Sequence, residues 1–107
     1  MATSKEFLNF ILEQLSEVDG IFHRQMMGEY IIYVNGKIAA YLCDNRMLVK
    51  PVPSAIKLLP NAKYEPPYEG AKEMILVEDV DNKEFLSRLL VEIYEELPVV
   101  KKRSKTK

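Results

Sequence analysis

The chain has 107 residues, 48% of them hydrophobic and 29% charged, a balance suited to one globular domain that buries a core without a metal or disulfide staple. A single cysteine, Cys43, excludes an internal disulfide. No apolar run nears the roughly 20 residues of a membrane-spanning helix, and the start MATSKEFLNF lacks the pattern of a secretory signal. The expected setting is the cytoplasm, away from the membrane.

The net charge of −1 is unevenly spread. The last seven residues, KKRSKTK, hold five of the 15 basic residues, so the body carries 10 basic against 16 acidic residues, a net of −6. An acidic body disfavours broad phosphate binding. The organisation expected is a domain over 1–98 and a basic, disordered tail over 99–107.

Thr3-Ser4-Lys5-Glu6 has the pattern of a capping box. Phe7, Leu8, Ile11, Leu12, Leu15 and Val18 follow at helical spacing, predicting a helix from Ser4 to Glu17 that Asp19-Gly20 ends. Strands are expected at Phe22–Met26, Tyr30–Val34, Lys37–Cys43 and Arg46–Lys50. Gly28 marks a bulge or turn, Asn35-Gly36 a hairpin, and Asp44-Asn45 a weaker turn. Pro51 and Pro53 end the fourth strand. Ser54–Leu59 suits a short helix, Asn61–Lys72 a loop, and Met74–Glu78 a fifth strand. Asp81 is the expected cap of a last helix carrying Phe85, Leu86, Leu89, Leu90, Ile93 and Leu97, with Pro98 as its stop. This order predicts a two-layer α+β fold. An antiparallel sheet of about five strands packs against N- and C-terminal helices, with a short helix in the middle.

Two-residue turns would set Val34 opposite Lys37, Tyr33 opposite Ile38 and Tyr30 opposite Tyr41. On that register Ile31, Tyr33, Ile38, Ala40, Leu42, Met47 and Val49 lie beneath the helices. The other face carries Tyr30, Ile32, Val34, Ala39, Tyr41, Cys43 and Leu48, with Lys37, Arg46 and Lys50 at its margins. An apolar centre with tyrosines suits a protein partner, including a second copy of the chain. The alternatives are cover by the loop Asn61–Lys72 or no role. Tyrosines beside basic residues also resemble a nucleic-acid stacking platform, aided by the basic tail, against which the acidic body argues.

Arg24-Gln-Met26-Met27-Gly28-Glu-Tyr30-Ile-Ile-Tyr33-Val-Asn35-Gly36-Lys37 resembles the signature of the TfoX/Sxy N-terminal domain family. The likeness continues through Ile38-Ala-Ala-Tyr-Leu-Cys-Asp44-Asn-Arg-Met-Leu48-Val-Lys50. Met27 stands where phenylalanine is usual, and Glu29 and Ile31 where glycines are usual. The resemblance implies a secretion-chaperone-like antiparallel sheet with flanking helices. It also implies a regulator of natural competence and transcription, here like a stand-alone N-terminal domain. It carries over no catalytic residue.

Enzymatic chemistry finds no support in the sequence. His23 and Cys43 lack partners at catalytic or zinc-ligand spacing, no phosphate-binding glycine motif is present, and no cofactor is expected. Arg24 is expected to pair with Glu13 or Glu17, and Glu92, Glu95 and Glu96 to form a solvated face.

Overall fold

Ser4, rather than Thr3, caps the first helix in the computed structural model, which describes residues 3–99. Its side chain accepts a hydrogen bond from the Phe7 amide at 3.1 Å, satisfying one orphan donor of α1 (Lys5–Gln14). Thr3 ties the chain to the sheet instead. Its amide donates to the Gly28 carbonyl at 3.0 Å, and its hydroxyl lies within reach of Glu29 Oε1 (2.9 Å) and the Leu42 carbonyl (3.0 Å).

Four strands follow as a meander: β1 (Ile21–Met26), β2 (Glu29–Val34), β3 (Lys37–Cys43) and β4 (Arg46–Val49). Each turn is built on two residues of positive φ: Met27 and Gly28 (53° and 83°), Asn35 and Gly36 (49° and 86°), Asp44 and Asn45 (56° and 57°). That backbone matches the right-handed twist of the flanking strands. Asn, Asp and Gly adopt it readily; Met27 does not. Gly20 (φ 80°) ends the run from α1, and a Cβ there would meet Asn35 Oδ1 at 2.1 Å. The absent side chain at Gly20 leaves the space that the Asn35 side chain occupies.

The short helix α2 (Pro53–Leu58) leads to β5 (Tyr64–Glu65), β6 (Met74–Val77) and α3 (Lys83–Tyr94). Asn82, one residue beyond the expected Asp81, caps α3 by accepting from the Phe85 amide. The sheet has six antiparallel strands in the order β1-β2-β3-β4-β6-β5. The sixth strand is β5, a two-residue pairing within the segment expected to be loop. The architecture is the expected α+β one. The basic tail falls outside the described residues.

The register departs from the expected one. Near the turn, Val34 pairs with Lys37 and Tyr33 with Ile38, but Ile32 pairs with Ala40, Ile31 with Tyr41 and Tyr30 with Leu42. Ala39 is the extra residue of a β-bulge. One inserted residue changes the phase between the turn and the rest of β3. Both Ala39 and Ala40 thereby join the core, being small enough to share one side. Ala40, Leu42, Met47 and Val49 lie beneath the helices as expected. Ile31, Tyr33 and Ile38 do not. Their places on the helix side are taken by Tyr30, Ile32 and Val34, all buried.

This core closes against Leu8, Ile11 and Leu15 of α1 and Leu86, Leu89, Leu90 and Ile93 of α3. Each fully buried aliphatic side chain here contributes on the order of 1.5–3 kcal/mol. Polar contacts finish the packing. Gln14 Nε2 donates to the Val80 carbonyl at 2.9 Å. Glu96 accepts from the Ser54 amide (2.8 Å) and hydroxyl (2.7 Å), so a carboxylate of the expected solvated face caps α2 from afar.

Candidate interaction face

The unbroken alternation of β2 that sets Tyr30 and Ile32 inward sets their neighbours outward. Alternation along β1 and β2 places Phe22, Arg24 and Met26 beside Tyr33, Ile31 and Glu29 on the sheet face away from the helices. Tyr41 and Cys43 continue this face on β3 and Leu48 on β4, followed by Leu76 and Met74 on β6.

Part of the face is covered. Cys43, Leu48 and Met74 are buried in a second small cluster, flanked by Tyr41 and Leu76. The segment 66–73, buried at Pro67, borders it. Tyr41 and Met74 line a cleft of about 370 Å³ with Pro67, Tyr68 and Ala71.

The remainder is open. A second cleft of about 430 Å³ lies between the β1–β2 hairpin and Tyr68. Met26, Met27, Glu29, Ile31, Tyr41 and Cys43 form its other walls. Around it the exposed fractions are high for apolar side chains: Met27 94%, Tyr68 61%, Phe22 60% and Met26 47%. The Phe22 ring tilts against Tyr33 with centroids 5.9 Å apart, extending the apolar surface toward the sheet edge.

The face expected from sequence is therefore corrected. Tyr30, Ile32 and Ala39 are core residues. Lys37 turns to the helix side, where Nζ sits 4.4 Å above the Tyr94 ring and donates to the Tyr94 carbonyl at 3.2 Å. Tyr41 and Leu48 do lie on the outer face, Leu48 fully buried and Tyr41 half-buried. Arg46 is engaged by Glu65 and by the Cys43 carbonyl. Lys50 lines the cleft beside Pro67 and Tyr68. A stacking platform pairing Tyr30 with Tyr41 is not assembled.

Arg24 is exposed on the outer face, opposite the layer that holds α1, and makes no ion pair with Glu13 or Glu17 there. Among the other motif positions, Met26, Met27 and Gly28 form the tip of the β1–β2 hairpin, and Tyr33, Asn35 and Gly36 the far end of β2 and its turn. Phe22 and Tyr68 were not legible as site residues. The one signal for Met27 is its place before Gly28 in a turn where Asn or Asp is usual.

Burial dominates the electrostatics of this face. Burial, reinforced by the nearby Glu29 charge, pushes the Cys43 thiol from 9.0 up to about 11, so it stays protonated near neutrality. Burial, then Tyr68, Tyr33 and Cys43, raises the Tyr41 hydroxyl above its ordinary value. His23 is exposed, its ring edge-on to Tyr30 at 6.3 Å. Among the described residues no three His, Cys, Asp or Glu side chains gather as metal ligands, and no helix is long and apolar enough to cross a membrane.

Fold and face together define a small α+β domain with one helix-covered and one partly open sheet face. The chain is 35% identical over 80 residues to the uncharacterized 12.7 kDa protein in the trpE 5' region of Spirochaeta aurantia, an alignment spanning 75% of this chain and 70% of that one. It belongs to the same family as that spirochaetal protein. No family model and no solved structure matches the chain.

Proposed function

We propose that the protein is a non-enzymatic interaction domain that holds an apolar segment of a partner protein on its outer sheet face. The observation that carries this reading is Met27. It is the most exposed large apolar residue of the described chain, it takes a left-handed φ of 53°, and it overhangs the open cleft. Left-handed backbone costs a non-glycine residue about 1–2 kcal/mol. At the two other hairpin turns, Asn35 and Asp44-Asn45 answer the same demand with suitable residues. A flexible thioether gains nothing for the turn, but it adapts well to varied apolar partners. Strain of this kind points toward a role outside the fold.

The resemblance of Arg24–Lys50 to TfoX/Sxy N-terminal domains supports placing that partner in transcription control, including competence regulation. The single buried thiol suits the cytoplasm. The nucleic-acid alternative keeps little of its geometry, because Tyr30 is buried, Lys37 faces α3 and Arg46 is paired with Glu65.

Methyl-labelled methionine offers a direct test. Titration with a panel of short Leu-, Met- and Phe-rich peptides is expected to move the Met26 and Met27 methyl resonances while leaving the buried Met47 in place. A panel that moves none of them, or that moves Met47 alone, would rule the reading out.

A further inference from the structure

The two edges of the sheet are built differently. At one, β5 is only two residues long, Tyr64–Glu65, and runs into Pro66 and Pro67. A short edge with proline is how proteins block unwanted strand pairing. At the other, β1 offers six residues, IFHRQM, exposed from Phe22 onward. It has no proline, no lysine and no bulge, and nothing among the described residues pairs with its free side.

The turn fixes which backbone groups are free. A two-residue turn at Met27-Gly28 closes on a hydrogen-bonded pair, Met26 with Glu29. Arg24 and Phe22 bond to β2 in the same phase, and the Asn35 amide completes the row on the Gly20 carbonyl at 2.9 Å. Ile21, His23 and Gln25 therefore turn their amides and carbonyls outward.

We propose that β1 pairs antiparallel with β1 of a second copy, joining two sheets into one of twelve strands. The register follows from symmetry and charge. A two-fold axis relating antiparallel strands stands perpendicular to the sheet, so paired residues lie on the same face. Two registers then give the longest overlap. One sets Arg24 against Arg24, placing like charges directly opposite. The other centres on His23 opposite His23, pairs Ile21 with Gln25, and sets each exposed Phe22 beneath the Arg24 guanidinium of the other copy. The second forms roughly six backbone hydrogen bonds from the outward-facing residues and replaces repulsion by cation–π attraction. This self-complementarity favours a second copy over a foreign strand. The axis also leaves both Met27 clefts on one side of the joined sheet, presenting two binding sites in parallel.

Cysteine cross-linking of the full chain tests both the pairing and its register. Across a hydrogen-bonded antiparallel pair, Cα atoms lie about 5.5 Å apart, within disulfide reach. Under mild oxidation His23→Cys is expected to form a covalent dimer, and Arg24→Cys, offset by two residues from its own copy, to remain largely monomeric. The buried Cys43 serves as the internal unreactive thiol. Sedimentation equilibrium of the unmodified protein should show a monomer–dimer equilibrium. Gln25→Pro, which removes an outward amide at an edge position where proline is tolerated, should weaken it roughly tenfold or more. If Gln25→Pro does not fold, the cross-linking result decides. Dimers through Arg24→Cys in preference to His23→Cys would overturn the register. A clean monomer up to about 1 mM, the limit of roughly −4 kcal/mol association, with no cross-link in either variant, would overturn the pairing itself and leave β1 to a foreign strand.

Discussion

On the helix side of the sheet, Ile32, Leu42, Met47, Val49 and Ile75 are wholly or almost wholly buried beneath α1 and α3. On the other side, Cys43 and Leu48 are equally dry, yet Phe22 and Met26 on β1 and Met27 in the turn after it stand in solvent. The residue types are much the same. What differs is cover: two amphipathic helices on one side, and a single segment, 66–73, bordering part of the other. The apolar character of a strand therefore says that a face must be hidden. It does not say whether the chain itself hides it.

The sharpest way to break this comparison is to place the same charge on each face. Ile32→Glu would bury an unpaired carboxylate in the core and should unfold the domain, at a cost of roughly several kcal/mol. Phe22→Glu should leave the thermal transition almost unmoved, within about 0.5 kcal/mol. Calorimetry of the two variants checks this. The opposite ranking would restore the register in which Ile32 faces outward.

The dry patch of the outer face can be read through Cys43. The unfolded thiol loses its proton near pH 9.0, whereas the folded one holds it to about pH 11. Between those values the native state binds more protons, so stability must fall as pH rises. The loss is on the order of 2 kcal/mol, and Cys43→Ala should lack it. Equal denaturant midpoints at pH 8 and pH 10.5 would show that water reaches the thiol.

A gentler change probes the bulge. Deleting Ala39 converts the β2–β3 ladder to a regular one while leaving Tyr30, Ile32 and Leu42 on the helix side. The domain should keep its dispersed amide spectrum and lose no more than about 2 kcal/mol. Collapse of that dispersion would mean the two faces depend on the bulge for more than phase.

The smallest effect should come from the open end. Met27→Asn gives the turn the Asn-Gly pair already used at Asn35-Gly36 and should raise stability by about 0.5–1 kcal/mol. In the methyl titration the same variant should bind peptides more weakly. Gain in stability without loss of binding would separate Met27 from the site.

Much of the fold was legible because its signals are local. Asn35-Gly36 and Asp44-Asn45 announce their turns, Pro53 starts α2, and the Leu86–Leu89–Leu90–Ile93 stripe defines α3. The register was not legible. Ala39 marks its bulge with neither glycine nor proline, and an alanine pair reads as ordinary strand. The β1–β2 turn was half-legible, since Gly28 signals it but Met27 does not. The Glu96 cap on Ser54 and the two-residue β5 escape for a different reason. Both are tertiary, joining segments whose local sequence has no preference. The site depends on that register: turn spacing alone sets Tyr30 and Ile32 on the outer face, and no local signal marks Phe22 on β1 or Tyr68 in the segment 66–73.

The meander from Ile21 to Val49 is stitched by three tight reversals, so its pairings are close in sequence and can form early. Its greasy underside, however, waits for α3, the last helix of the described chain. During synthesis Tyr30, Ile32 and Leu42 emerge from the ribosome well before Leu86–Ile93 can shield them. That interval, rather than the finished molecule, is when the protein is most exposed to misassociation and most in need of a chaperone.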